Sequence, residues 1–156
     1  MFPRQIHLLL PRNCSEDVDG PTTVKFIYDI LVEGFHSLDD QVLIEFDNSP
    51  TGQTINKCVS VIYEQTWRCQ IHYNDDPEQV LQDSQLWSRI YGIHLPMATR
   101  KSIAGCYRRL DITGDPDIDS DYSRDFDGLL VYLRHNFGQC YTFDSMNNKF
   151  IHIDTE

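Results

Sequence analysis

Two strand candidates that lie close together in the chain constrain the fold more than any other feature. In the second, residues 67–73, hydrophobic and polar residues alternate cleanly, which is typical of a strand with one buried face. The first, residues 58–63, is separated from it by residues 64–66 only. Parallel strands need a long crossover, whereas a hairpin needs only a few residues. The sequence therefore predicts an antiparallel pair.

Residues 123–136 form the strongest helix candidate. Their hydrophobic side chains, together with Phe137, recur at spacings of three and four and so share one helix face; they are Phe126, Leu129, Leu130, Leu133 and Phe137. Gly138 follows directly, as is common where a helix ends. We expect this helix to bury Leu129, Leu130 and Leu133.

The other elements are predicted from shorter patterns. A helix is expected to open at Pro21, and a second after Asp76, whose side chain can cap it. The second helix carries Val80, Leu81, Trp87, Ile90 and Tyr91, and Gly92 is expected to end it. A weaker helix candidate covers residues 96–106, and further strands are expected at residues 6–10, 42–46, 107–112, 140–143 and 150–153.

The order of these elements indicates the fold class. Helices interrupt the strands without the strict alternation of a doubly wound sheet. We therefore predict an α+β fold with a single mixed, mostly antiparallel sheet and about four packed helices. The length of 156 residues is typical of one globular domain, covering residues 1–156.

Charge and cysteine usage narrow the classes of function. The chain has 13 basic and 24 acidic residues, a net charge of −11, which disfavours nucleic acid as a partner. No apolar run approaches the length of a membrane span, and no signal-peptide core is recognisable at the N-terminus. The five cysteines include no Cys-x-x-Cys pair and suit reduced thiols. These features predict a cytoplasmic protein without a membrane partner.

Residues 111–127 hold seven aspartates and one arginine, for a net charge of −6 in 17 residues. Such a surface attracts a basic protein or a divalent cation. The helix dipole alone stabilises only one or two carboxylates near the start of the following helix. We therefore predict that the segment forms part of a partner-binding surface, through Asp115, Asp117, Asp119, Asp121 and Asp125.

Calcium is a weaker explanation for this segment. A calcium loop of the EF-hand type needs glycine at its sixth position and glutamate at its twelfth. Counted from Asp115, those positions hold Ser120 and Phe126; counted from Asp117, they hold Tyr122 and Gly128. We expect no metal and no cofactor, although a divalent metal held by the aspartates remains the basis of one alternative function.

Motifs for catalysis are also absent from the sequence. There is no Gly-x-Ser-x-Gly, no phosphate-binding loop and no His-Glu-x-x-His, so we expect no catalytic residues and no enzymatic activity. A pair of catalytic side chains that meet only in the fold stays open, because such pairs are spatial and not sequential. One cluster of cations can bind phosphate, pair with the aspartates or lie in solvent: Arg100, Lys101, Arg108 and Arg109.

Residues 100–153 contain a series of short motifs. They are Arg100-Lys-Ser-Ile-Ala-Gly-Cys106, Leu110-Asp-Ile112 with the acidic Gly114-Asp-Pro-Asp117 loop, and the helix from Phe126 to Phe137. Gly138, Tyr141-Thr-Phe-Asp144 and Phe150-Ile151 complete the series. In this series the chain resembles immunity proteins of bacterial polymorphic and contact-delivered toxins. The resemblance implies a small acidic cytoplasmic protein without catalytic activity that binds one toxin domain and blocks its active site.

The sequence is therefore compatible with three functions. The first is an immunity-type inhibitor that binds a basic cognate toxin domain through its acidic surface. The second is a small metal-dependent enzyme that uses the aspartate-rich loop. The third is an inhibitor whose carboxylates imitate the phosphates of nucleic acid.

Overall fold

A computed structural model describes residues 4–11, 20–36, 42–46, 58–63, 67–74, 76–115 and 121–151. Its seven strands are β1 (Arg4–Leu10), β2 (Val42–Phe46), β3 (Cys58–Tyr63), β4 (Trp67–Asn74), β5 (Arg108–Gly114), β6 (Tyr141–Asp144) and β7 (Lys149–Ile151). Its α-helices are α1 (Gly20–Leu31), α2 (Pro77–Tyr91), α3 (Met97–Ala104) and α4 (Asp121–Phe137). A π-helical segment, Val32–His36, continues α1.

The strands form one sheet in the order β2-β3-β4-β5-β1-β6-β7. The predicted α+β class is confirmed, and every pair of neighbouring strands among the described residues is antiparallel. The predicted hairpin is β3–β4, in which Val61 lies opposite Cys69. The N-terminal strand β1 lies between β5 and β6, so the sheet is joined at its centre by pairings between distant parts of the chain.

One face of the sheet packs against α1 and α4 and holds the larger hydrophobic cluster. Alternate residues of the central strands point into it, as the two-residue repeat of a strand requires. Leu8, Ile71 and Leu110 are almost completely buried there. From α4, the predicted core residues Leu129, Leu130 and Leu133 are buried as well, so the prediction from helical spacing is confirmed.

The other face packs against α2 and α3 and holds a smaller cluster. Leu9 of β1 and Tyr141 of β6 contact Ile103 and Cys106, and Trp87 of α2 packs at its edge. The two faces therefore differ in composition, because the residues that alternate with the large core on β1 and β5 include His7, Arg109 and Asp111. The smaller cluster is thus bordered by polar and charged side chains.

Helix α2 begins as predicted, because the Asp76 side chain accepts a hydrogen bond from the backbone N–H of Gln79 at 3.3 Å. The residues that α2 buries are not simply its hydrophobic ones. Ser84 and Ser88 are buried, whereas Ile90 is 46% exposed. The Ser88 hydroxyl donates to the Arg100 carbonyl at 2.8 Å, so small side chains let α3 approach α2 closely.

Backbone conformation explains where α4 ends and where the chain turns between β6 and β7. Gly138 follows α4 with a φ of 77°, a left-handed conformation that glycine adopts without steric cost. Between β6 and β7, Asn148 has a φ of 54°, and asparagine tolerates this region better than most residues. Asp144 stabilises the same turn by accepting hydrogen bonds from the N–H groups of Met146 and Asn147.

Candidate functional site

The acidic segment predicted to bind a partner begins at one end of the sheet. Asp115 is exposed directly after β5, and its N–H donates to the Arg68 carbonyl at 2.9 Å. Its carboxylate in turn accepts from the Arg68 N–H at 3.1 Å. These two bonds fix where the segment leaves the sheet, so the position of Asp115 is set by the β4–β5 pairing.

The other predicted partner-binding residues are described less fully. Asp117 and Asp119 lie outside the described residues, so their assignment to the binding surface stays a prediction. Asp121 is the first residue of α4 and Asp125 lies in its second turn, and only their backbone is described. Within α4, Asp127 is exposed and accepts a hydrogen bond from Arg4 at 3.2 Å.

A polar network that the sequence did not predict lies on the sheet face that packs against α2. His7 of β1 is paired in register with Asp111 of β5, and its Nδ1 lies 2.6 Å from Asp111 Oδ1. On the other side of the ring, Nε2 lies 2.9 Å from the hydroxyl oxygen of Ser145, which follows β6. Neighbouring strands thus align a carboxylate, an imidazole and a hydroxyl.

Arg109 connects this network to α2. Its Nε donates to Asp111 Oδ1 at 2.8 Å, and its Nη1 donates to Asp83 Oδ2 of α2 at 2.7 Å. The guanidinium also lies 5.2 Å from the centre of the Trp87 ring. Arg109 belongs to the cluster of cations for which phosphate binding, pairing with aspartates and exposure to solvent were all considered. Because it is buried and paired with two aspartates, pairing is its role.

The environment of Asp111 favours its charged form. Burial is the largest single influence and opposes ionisation, but the hydrogen bond from His7 and the charge of Arg109 together outweigh it. The pKa of Asp111 is therefore lowered from its ordinary value. The carboxylate is ionised at neutral pH and can orient the imidazole of His7.

Aromatic rings border the imidazole. Trp87 lies with its ring centre 5.2 Å from that of His7, and it stacks on Phe143 at 4.3 Å. The His7 side chain is 14% exposed and that of Asp111 is 24% exposed. Ser145 is half-buried. The network is therefore partly accessible to solvent, with aromatic rings beside its imidazole.

Sequence reasoning missed this network because its members are far apart in the chain. Asp111 is separated from His7 by 104 positions, and Ser145 is separated by 138. One signal could have been used, which is that each of the three residues lies in or close to a predicted strand. The pairing of β1 with both β5 and β6 was needed to bring them together.

A second surface feature is the outer side of α2 and its connection to α3. Leu86, Ile90, Ile93 and Met97 are large hydrophobic residues with exposures of 40% to 67%. Between Asp83 and Asp111 the sequence contains no acidic residue. Exposed apolar residues gathered in one stretch commonly mark a contact with another macromolecule.

The described cysteines are not part of a reactive or metal-binding centre. Cys58, Cys69, Cys106 and Cys140 are buried and form no disulfide with one another, and burial raises the pKa of the Cys69 thiol. Among the described residues, no group of three or more histidine, cysteine, aspartate or glutamate side chains could hold a metal ion. The carboxylates of residues 116–125 are not among the side chains that the structure describes, so they are not covered.

Comparisons with protein families, with curated proteins and with solved structures found no match to this chain. None of the helices in the described ranges has the length and apolar character needed to cross a membrane.

Proposed function

We propose that this protein is an immunity-type inhibitor, which binds a basic toxin domain through its acidic surface and blocks that domain's active site. The observation that carries the proposal is the concentration of carboxylates between the end of β5 and the first turns of α4. Six of the chain's 24 acidic residues fall within residues 115–127. The seventh aspartate of the acidic segment, Asp111, lies within β5 and pairs with His7 and Arg109. Asp115, the first of the six, is exposed and held by the sheet.

The charge balance supports a partner that is basic. With 13 cations for 24 carboxylates, one-to-one pairing leaves 11 carboxylates over. Two of the cations already pair with carboxylates of the same chain: Arg109 with Asp83 and Asp111, and Lys25 with Asp29. Electrostatic attraction between such a surface and a basic domain raises the rate of association and selects partners of complementary charge.

The exposed hydrophobic residues of α2 and the α2–α3 connection support a binding role independently of charge. Protein interfaces combine an apolar centre with a polar rim, and the apolar centre contributes most of the affinity. Ile93 and Met97 are 67% and 61% exposed, so both are available to a partner. They offer a second surface on which the same binding function can be tested.

The decisive experiment is co-expression of this chain with the product of the gene immediately upstream of its own, which the proposal expects to carry a toxin domain. We expect the two proteins to co-purify as a complex, and we expect the host to survive expression of the domain only when this chain is present. Survival without complex formation, or a complex that leaves the domain fully active, would contradict the proposal.

The acidic surface is tested in the same complex by replacing Asp117, Asp119 and Asp121 together with asparagine, which removes three charges at nearly constant shape. We expect the variant to associate more slowly than the wild type, by about tenfold or more at low salt. We also expect its association rate to depend less on salt. Salt acts on the attraction between charges, since the Debye length shortens to about 8 Å at physiological ionic strength, and the variant has three fewer charges. Stopped-flow or surface-based kinetics measure both quantities.

The matched control removes three charges elsewhere on the surface. Asp29, Glu45 and Glu78 are exposed, and their replacement by asparagine or glutamine changes the net charge by the same amount. We expect this variant to associate at close to the wild-type rate. Equal slowing in the two variants would show that net charge alone matters, and the assignment of the site to residues 115–125 would then be wrong.

A further inference from the structure

The alignment of Asp111, His7 and Ser145 has the geometry of a nucleophile with its general base. We propose that Ser145 is an activated nucleophile that takes up the acyl group of a small carboxylic ester, with His7 as the base and Asp111 as the residue that orients it. The two hydrogen-bonding distances are 2.6 Å for His7 Nδ1 to Asp111 Oδ1 and 2.9 Å for His7 Nε2 to Ser145 Oγ. Such a centre is recognised by geometry and roles, and not by the order of residues in the chain.

Each group has a role that its position permits. Asp111, whose pKa is lowered, accepts the Nδ1 proton of His7 in a hydrogen bond and leaves Nε2 as the acceptor. The Nε2 lone pair then faces the hydroxyl proton of Ser145. A serine hydroxyl is a weak nucleophile unless a neighbouring base removes its proton during attack. This tautomer of His7 is therefore the one that activates Ser145.

The reaction is balanced without any other reactant. Ser145 Oγ forms a bond to the carbonyl carbon of the ester, and its proton passes to His7 Nε2. The bond between that carbon and the leaving oxygen breaks, and the leaving alcohol takes the proton from His7. The products are the alcohol and an acyl group carried by Ser145 as an ester. Hydrolysis of that ester by water would return the free serine and a carboxylic acid.

The surroundings of Ser145 limit the substrate and the rate. Trp87 borders His7 and is partly exposed, so the apolar part of a small acyl group can pack beside it. The N–H groups that follow the serine, those of Met146 and Asn147, already donate to Asp144 at 3.0 and 3.2 Å. They do not stabilise an oxyanion, and loss of one such donor typically slows catalysis by about 10²–10³-fold. We therefore expect acylation of Ser145 with slow turnover.

The proposal goes beyond the binding function and departs from the expectation that the chain has no catalytic residues. It needs no partner protein. Its failure would leave the inhibitor proposal untouched, and failure of the inhibitor proposal would leave it untouched in turn.

The test uses p-nitrophenyl acetate as the probe on the purified full chain. We expect release of p-nitrophenol in a burst of up to one equivalent, and an acetyl group on Ser145 in peptide mass spectrometry. Replacing Ser145 with alanine should abolish both. Replacing His7 with glutamine or Asp111 with asparagine should slow acylation by about tenfold or more, since general-base catalysis typically contributes 10²–10⁴-fold.

The control variant is Ser102→Ala, which removes the hydroxyl of a half-buried serine on α3. We expect it to react at the wild-type rate. Circular dichroism confirms that each variant is folded. Ser145→Cys provides a second test if the alanine variant unfolds, because it keeps a nucleophile in place and should be acylated in a manner that still depends on His7.

Two results would overturn the proposal. One is the absence of acetyl-Ser145 in the folded wild-type chain at probe concentrations that acetylate its lysines. The other is acylation of Ser145 at an unchanged rate in the His7→Gln variant. Either result would show that the three residues only hold the β6–β7 hairpin against the sheet.

Discussion

Asp111 is the residue whose charge state most directly links the network to stability. It accepts hydrogen bonds from both His7 and Arg109, and Arg109 in turn reaches Asp83 on α2. Hydrogen bonds to charged groups contribute about 1.5–3 kcal/mol each when the partner would otherwise be left unsatisfied. Loss of the Asp111 charge should therefore weaken the attachment of α2 to the sheet.

The pH dependence follows from the lowered pKa of Asp111. A lowered pKa in the folded state means that the unfolded state binds more protons, so the stabilisation is present above the ordinary value of about 3.9 and is lost as the pH falls below it. When the pH is lowered from about 4, we expect the free energy of unfolding to decrease. We expect this decrease to be less steep in the Asp111→Asn variant. Urea unfolding at several pH values measures this difference.

Asp29→Asn serves as the comparison for that prediction, because Asp29 is an exposed carboxylate paired with Lys25 four positions away. We expect its profile to parallel the wild type. If the Asp111 variant also parallels the wild type between about pH 4 and pH 2, the ionisation of Asp111 is not coupled to folding.

At the scale of elements, helix α4 tests how far hydrophobic spacing predicts burial. Leu133 is completely buried between α4 and the sheet, whereas Val131, two residues earlier, is 60% exposed. Truncating a buried leucine to alanine typically costs about 2–5 kcal/mol, because apolar burial is lost and a cavity remains. We expect Leu133→Ala to fall in that range in chemical denaturation.

The matched variant is Val131→Ala on the same helix. Because this side chain is largely in solvent, its removal should change the free energy of unfolding by less than about 0.5 kcal/mol. A loss below about 1 kcal/mol for Leu133→Ala would place this face of α4 outside the core. The contrast between the two positions separates burial from helix propensity.

The close fit between α4 and the π-helical segment is a feature of elements that the sequence did not predict. The Tyr132 hydroxyl donates to the Ile30 carbonyl at 2.6 Å. At Gly34 an added Cβ would collide with the Tyr132 ring, so any larger residue would require that ring to move. A helix from Pro21 was expected, but periodicity alone gave no sign of this contact.

For the whole molecule, the position of β1 is the feature with the widest consequences. This strand comes first in the sequence but lies between β5 and β6, which are more than 90 residues away. Among the described residues, β1 is the strand that joins β6 and β7 to the rest of the sheet. The backbone amides of β1 should therefore exchange with solvent only when the whole molecule unfolds.

Native-state hydrogen exchange tests this arrangement. We expect the amides of Leu8 and Leu9 to be as strongly protected as that of Ile112 in β5, since amides in a central strand open only with the global free energy of unfolding. Amides of β7, at the edge of the sheet, should exchange faster. Comparable exchange in β1 and β7 would contradict a central position for β1.

What the sequence determined by itself was local. Alternation in β4 and the short connection to β3 predicted an antiparallel hairpin, spacing predicted the buried face of α4, and Asp76 predicted the start of α2. These patterns succeed because the geometry of a strand or helix fixes which side chains share a face over a few residues. The acidic stretch of residues 111–127 was also evident, because charge density along the chain needs no fold to be recognised.

Tertiary structure alone decided which distant residues meet. His7, Asp111 and Ser145 come together because β1 pairs with β5 on one side and β6 on the other. Which strands become neighbours depends on the packing of the whole core. The two-residue period of a strand determines which side chains share a face, but it does not determine which strand pairs with it. The network and its aromatic border could therefore be found only after the strand order was known.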